Sequence, residues 1–336
     1  YLLLFFVNPI LIYYACEARM YSMLAFFATS SFYLFFTKKT KIHIIVSILG
    51  LFTHYFMIFP IIAQFVYSIL IHKRKDYFQL LKPFVIIFAV FLPWLIFTYF
   101  QKGLQVSSFW IPYSTFYTLS SIAGILYTGY ELGSKYYDIT VTKLSVALIA
   151  LLILGIVKII HGKIQNSKLF LMLVIWGFVL PFGIAVISFI KPIFLARYLI
   201  FTSVGMLLLI IYILDHINIF LRGLIFAGLI LVSINFLKID LKNHKKSNYR
   251  RIITEIKILA HKNDVMYVTS ELDFFTAEYY FDENRVFIYG KIYDKIPAFV
   301  GKVLIPKNKL VNSLPKYPIK AFILTSDSHY DIESSL

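Results

Sequence analysis

The chain runs to 336 residues, of which 60% are hydrophobic and 18% aromatic while only 15% are charged, against roughly a quarter charged in an ordinary soluble domain. That balance excludes a soluble enzyme, because the apolar residues gather in runs of about twenty with almost no charge, the length a helix needs to cross roughly 30 Å of hydrocarbon. The formal charge of +16 does not point to nucleic acid, since Lys and Arg lie between the apolar runs, where such residues fix topology. Cys16 is the only cysteine, which excludes an internal disulfide and a multi-cysteine metal site. The sequence opens at Tyr1 inside an apolar run and without Met, so the true N-terminus is expected upstream.

In chain order, residues 1–7 read as the tail of one membrane segment, followed by spans at 20–36, 42–71, 84–100, 144–160, 169–190, 198–214 and 219–237. The 42–71 stretch is too long for one span and has basic loops on both sides. It is expected to go up and return, turning near Thr53, His54 and Tyr55, with each half short for a crossing. With that hairpin, eleven Lys and Arg fall on one side of the membrane and six on the other. The positive-inside rule makes the richer side cytoplasmic. The loops at 8–19, 53–55, 101–143 and 191–197, and everything after Lys238, then face outward.

After residue 237 the composition changes, with sixteen Lys or Arg and twelve Asp or Glu in the last 99 residues. The long apolar runs stop there. Residues 249–260 and 272–281 read as helices, and 264–269, 285–289 and 320–325 as strands. A small α/β domain with a partly parallel sheet is the natural assembly. No glycine-rich phosphate loop follows either of the first two strands. The fold class expected is thus a multi-pass α-helical membrane protein, about eight or nine segments over 1–237, with a soluble extracytoplasmic α/β domain over 238–336.

Charge in or beside a bilayer costs several kcal/mol unless paired or hydrated, so it marks candidate sites. Of the five acids before residue 238, Asp76 and Asp215 fall on the cytoplasmic side, leaving Glu17, Glu131 and Asp138 outward. Glu17 lies in 8–21, NPILIYYACEARMY, where polar groups enter just before a long apolar helix. If that stretch is already helical, Tyr13, Glu17 and Tyr21 share a face and Arg19 points about 200° from Glu17, which argues against a Glu17–Arg19 side-chain pair. The bland alternative has Glu17 favouring the helix N-terminus and Arg19 snorkelling to the interface. His54 and Tyr55 sit at the outer hairpin tip, where an aromatic belt would also place them. Arg197 and Tyr198 follow a proline-containing loop at the mouth of a span. A guanidinium there suits a phosphate through two parallel hydrogen bonds, and topological anchoring is its rival. Trp110 lies in a proline-containing outer loop. The apolar, serine-rich stretch 114–129 after it is suited to lying along the interface. The eight histidines are scattered, and no metal-ligand cluster or cofactor motif is present.

The run NPILIYYACEARMYSMLAFF resembles the proline, aromatic-pair, Glu-x-Arg-x-Tyr pattern of bacterial relatives of the dolichyl-phosphate-mannose protein mannosyltransferases, membrane glycosyltransferases of the GT-C class. THYF at 53–56, LPW at 92–94, FWIP at 109–112 and the Pro192 to Tyr198 stretch follow in matching order. The similarity covers most of 1–237, with a looser match in the tail at Asp264, Val265 and residues 278–280. The resemblance implies inverting transfer of a sugar from a polyprenyl-phosphate carrier to a lipid, glycan or protein acceptor on the outer face of the cytoplasmic membrane. It makes Arg197 a ligand of the lipid phosphate, has Glu17, Arg19 and Tyr21 line or brace the cavity, and sets His54 and Tyr55 at its rim, with Trp110 and Tyr198 as further substrate contacts. The family's catalytic acid lies in the first outer loop, before the point where this sequence opens. The base is therefore expected upstream of Tyr1, with Glu17 in a supporting role. A transporter or flippase of lipid-linked substrates is the alternative. It would favour paired, broken spans in two related halves, which the sequence lacks.

Overall fold

The computed structural model describes residues 1–72, 77–100, 111–130, 135–161, 167–243, 248–297, 300–325 and 329–336. It divides into two compact units, Tyr1–Asn243 and His244–Leu336.

Unit 1 is helical. Two short helices, α1 (Leu2–Phe6) and α2 (Pro9–Ala15), precede α3 (Tyr21–Phe36), α4 (Thr40–Thr53), α5 (Ile58–Ile71) and α6 (Tyr77–Phe100). Then come α7 (Phe116–Thr128), α8 (Lys135–Ile160), α9 (Ser167–Val174), a π-helical turn (Ile175–Val179), α10 (Leu180–Ile187), α11 (Ile200–Asp215) and α12 (Ile219–Asn243). Five helical stretches, Gln79–Phe100, Ile139–Ile160, Ser167–Ile187, Ala196–Asp215 and Ile219–Lys242, are long and apolar enough to cross a membrane. The 42–71 stretch does break into two, because His54 is extended at φ −158° and ψ 131° between α4 and a 3-10 turn at Tyr55–Met57. At 14 residues each, α4 and α5 reach only about 21 Å.

The packing of α4 explains its composition. Its buried residues include His43, Ser47 and Gly50, while Ile42, Ile45, Leu49 and Phe52 are about half exposed. Polar groups thus point inward and aliphatic ones outward, an arrangement that suits hydrocarbon rather than water against the outer face. The inward groups satisfy one another. His43 Nε2 meets Gln64 Oε1 at 2.8 Å, Gln64 Nε2 donates to Ser31 Oγ at 2.9 Å, and Ser31 Oγ meets Ser47 Oγ at 3.0 Å. Three helices are tied by one buried chain of hydrogen bonds.

The α3–α4 turn is closed by Lys38 N–H to Phe35 O at 3.1 Å and Lys39 N–H to Leu34 O at 2.9 Å. This pair of bonds requires a left-handed residue, usually glycine, just past the helix end. Lys38 occupies that position at φ 60°, which costs about 1 kcal/mol for a residue with a Cβ.

Two sequence expectations need correction. The stretch 114–129, expected along an interface, instead forms α7 inside the bundle, with nine of its 13 residues buried. Its hydroxyls explain why: Thr115 and Thr118 build a capping box, Ser121 meets Thr142 at 2.7 Å, and Tyr127 meets Ser233 at 2.9 Å, so interior partners replace water. The division expected at 237/238 falls inside α12. The apolar run ends at Leu237, but neither Gly nor Pro follows to stop the helix, which continues to Asn243.

Unit 2 holds a five-stranded sheet in the order β3-β2-β1-β4-β5, with β1 (Val265–Val268), β2 (Val286–Tyr289), β3 (Leu310–Val311), β4 (Ala321–Leu324) and β5 (Tyr330–Glu333). All pairings are parallel except β4 with β5. Helices α13 (Tyr249–Leu259) and α14 (Phe274–Tyr280) share a core with Met266, Val268, Val286 and Ile288 on one face, and alternation sends Tyr267, Phe287 and Tyr289 to the other.

Asp264, 2% exposed, accepts from His261 N at 2.8 Å and Lys320 N at 2.9 Å, joining the turn before β1 to the start of β4. Burial alone would raise its carboxyl, but those two amides and the positive charges of His261 and Lys320 outweigh it and hold the group below its ordinary 3.8. Stability from Asp264 is then present above that ordinary value and is lost as pH falls through the lowered one. Asp264→Ala should speed exchange of the His261 and Lys320 amides by about 30-fold, the equivalent of about 2 kcal/mol, with pulse-labelled hydrogen exchange as the measurement.

Candidate functional site

The entry to α3 is set by how α2 ends. Asn8 caps α2 by accepting from Leu11 N–H at 3.3 Å, and Pro9 starts it. The helix stops after Ala15, and Ser22 Oγ reaches back to Tyr14 O at 2.8 Å, so residues 16–20 are drawn out as a connecting turn. The expected continuous helix through 13–21 is therefore absent, and with it the reason for keeping Glu17 and Arg19 apart. Arg19 N–H folds back onto Glu17 O at 2.8 Å, and Arg19 Nε lies 3.3 Å from Glu17 Oε2. The carboxylate side chain is 11% exposed and the guanidinium 53%. An ion pair with one partner in solvent adds little stability; what it contributes is a fixed direction for the arginine.

Three distant segments meet four residues further on. Tyr21 begins α3, His54 separates α4 from α5, and Tyr198 lies in a 3-10 turn at Ala196–Leu199 that leads into α11. The ring of Tyr21 is 6.0 Å from His54 and 5.9 Å from Tyr198, and His54 is 5.3 Å from Tyr198. Phe56 closes the group at 4.9 Å from Tyr198. Tilted and edge contacts of this kind are the favoured geometry for aromatic pairs. His54 Nδ1 accepts from Phe56 N–H at 3.1 Å. The neutral ring consequently carries its proton on Nε2, which becomes a donor.

The Arg197 segment is held from behind. Ser188, fully buried at the end of α10, accepts at Oγ from Ile193 N–H at 2.9 Å and Phe194 N–H at 3.0 Å, and its carbonyl accepts from Ser114 N–H at 3.1 Å. Tyr198 N–H bonds Leu195 O at 3.0 Å. These contacts fix the turn that carries half-buried Arg197.

No protein-family model, curated protein or solved structure matches this chain. The functional reading therefore stands on the arrangement of side chains.

Of the residues singled out in the sequence, the fold brings Tyr21, His54 and Tyr198 into one ring cluster, with Glu17 and Arg19 in the turn just before Tyr21 and Arg197 beside Tyr198. Tyr55 belongs to a different group, since its hydroxyl accepts from Trp94 Nε1 at 3.2 Å and its ring is 6.2 Å from Phe91. Trp110 lies outside the described residues. Sequence reasoning missed Phe56 and the buried His43, Gln64, Ser31 and Ser47 chain. The signal was there as polar residues at helical spacing, 43 with 47 and 64 with 68, within otherwise apolar helices. Among the described residues no group of three or more His, Cys, Asp and Glu side chains comes together to hold a metal.

Proposed function

We propose that unit 1 is a membrane glycosyltransferase of the GT-C type, taking a sugar from a polyprenyl-phosphate carrier and handing it to a hydroxyl on an acceptor at the outer face, with unit 2 extracytoplasmic. The observation that carries this reading is the meeting of Tyr21, His54 and Tyr198, which draws the Glu17–Arg19 turn and the Arg197 turn toward one end of the bundle. Inverting transfer needs a cation where the phosphate departs, a base for the acceptor hydroxyl, and donors that fix the sugar. In this proposal Arg197 takes the phosphate oxygens, Arg19 is aimed by Glu17, and His54 Nε2–H donates to a sugar or phosphate oxygen. Glu17 acts as a positioning residue, because its carboxylate is already engaged by a guanidinium.

Membranes containing the full-length protein should transfer radiolabelled sugar from a polyprenyl-phosphate-sugar donor to an endogenous acceptor. Glu17→Gln should lower kcat about tenfold while leaving the acid limb of the pH profile where it was. Loss of all transfer together with a flattened acid limb would instead make Glu17 the base. Movement of the labelled donor across vesicles without any transfer product would replace the enzyme by a flippase.

A further inference from the structure

The other end of the same helices carries a second arrangement of cations. Along α4, His54 and Thr40 lie about 20 Å apart. At the Thr40 end the ends of α3 and α5 and the starts of α4, α6 and α9 enclose a cleft of about 580 Å³, whose lining includes Lys38, Thr40, His72 and Lys168. A second groove, lined almost wholly by apolar side chains, shares Ser68, Leu80 and Phe84 with it. Cations at the helix ends thus stand beside a strip of hydrocarbon surface between α5 and α6. That is the pattern of an amphiphile with a negatively charged head.

Two further facts favour a ligand over chance. Among the described residues neither Lys38 nor Lys168 has a carboxylate within ion-pair distance. Lys38 also holds the left-handed position that glycine would fill without strain. Lys38 thus brings its ammonium to the lip of the cleft at a backbone cost that glycine would not carry.

We propose that this cleft binds the phosphate headgroup of an anionic membrane lipid, with Lys38 and Lys168 as its cationic contacts and an acyl chain along the Leu80 and Phe84 groove. Basic pockets between membrane helices at the bilayer surface recognise such headgroups, each cation near the surface being worth about fivefold in affinity. The assignment does not depend on the glycosyl-transfer reading, since it uses none of the residues around His54.

The test is native mass spectrometry of the full chain in detergent with phosphatidylglycerol, phosphatidylcholine or inorganic phosphate added. The wild type should retain phosphatidylglycerol about tenfold over phosphatidylcholine. Lys168→Gln and Lys38→Gly should each lower that preference about fivefold. Lys38→Gly separates charge from fold, because relief of the left-handed strain should leave Tm unchanged or raise it by about 2 °C while lipid is lost. Lys168→Gln, at an exposed position, supplies the same reading should the first variant fail to fold. Equal retention of the two lipids, or an undiminished preference in both variants, would overturn the site. Protection by millimolar phosphate with no added effect of lipid would overturn the lipid assignment in favour of a free anion.

Discussion

Arg197→Ala is expected to cut sugar transfer about 100- to 1,000-fold, the loss typical when one preorganised group facing developing charge is removed. In the proposed transfer, charge would build on the leaving phosphate as the glycosidic bond breaks, so the guanidinium would interact more strongly with the transition state than with the bound donor. The fall should therefore be mainly in kcat, with KM changed less. Arg197→Lys keeps the charge but loses the planar fork that matches two phosphate oxygens, and about a tenfold deficit should remain. The turn itself survives either change, because Ser188 and the Tyr198 N–H to Leu195 O bond hold it through backbone atoms. Assays on membranes carrying each variant at matched protein level decide the matter. Wild-type rates in Arg197→Ala would remove the phosphate ligand, and the enzymatic reading with it.

What could be read in the sequence follows from which forces leave a local trace. Long apolar runs register as helices because crossing length and hydropathy act over twenty residues at once, and the break at His54 was legible from the basic loops on either side of 42–71. The α/β character of the tail was legible in DVMYVT at 264–269, whose short continuous apolar run is what a strand buried on both faces shows. Helix α7 was misplaced because its Ser and Thr look solvent-facing in one dimension, whereas Thr142 and the neighbouring helices satisfy them inside. Strands β3 and β5 left no signal, one being two residues long and the other, YDIE, half charged. At the site, Tyr21, His54 and Tyr198 could be nominated one by one, but their contact depends on helix pairing over 177 residues. The Glu17–Arg19 pair went the other way. Helical phase was extended through a stretch that the Ser22 to Tyr14 bond takes out of the helix.

A large effect on folding is expected where the π-helical turn and α11 approach closely. A Cβ on Gly177 would lie 2.5 Å from the backbone nitrogen of Met206, and one on Gly205 would lie 2.7 Å from the Trp176 ring. Small residues let membrane helices meet backbone to backbone, and here the π-helical turn and α11 do so on both sides of Trp176. The indole has no room to retreat, since it stacks on Phe32 at 4.1 Å and 15°. Nor can α11 withdraw, because its buried side chains run from Ile200 to Leu214 among α3, α7, α8 and α9. Gly177→Ala should consequently cost about 3 kcal/mol, near the upper end for overpacking, and lower Tm by about 10 °C. Gly205→Ala meets the inner ring atoms of the same pinned indole and should cost a comparable amount. Gly183 provides the control on α10, because nothing lies within 4 Å of its added Cβ. Gly183→Ala replaces a poor helix former with the best one and should be neutral or stabilising by up to about 1 kcal/mol. Thermal unfolding of the three variants in one detergent separates the effects. Equal shifts for Gly177→Ala and Gly183→Ala would mean that α11 does not press on the π-helical turn, and the close approach would lose its role in holding the bundle.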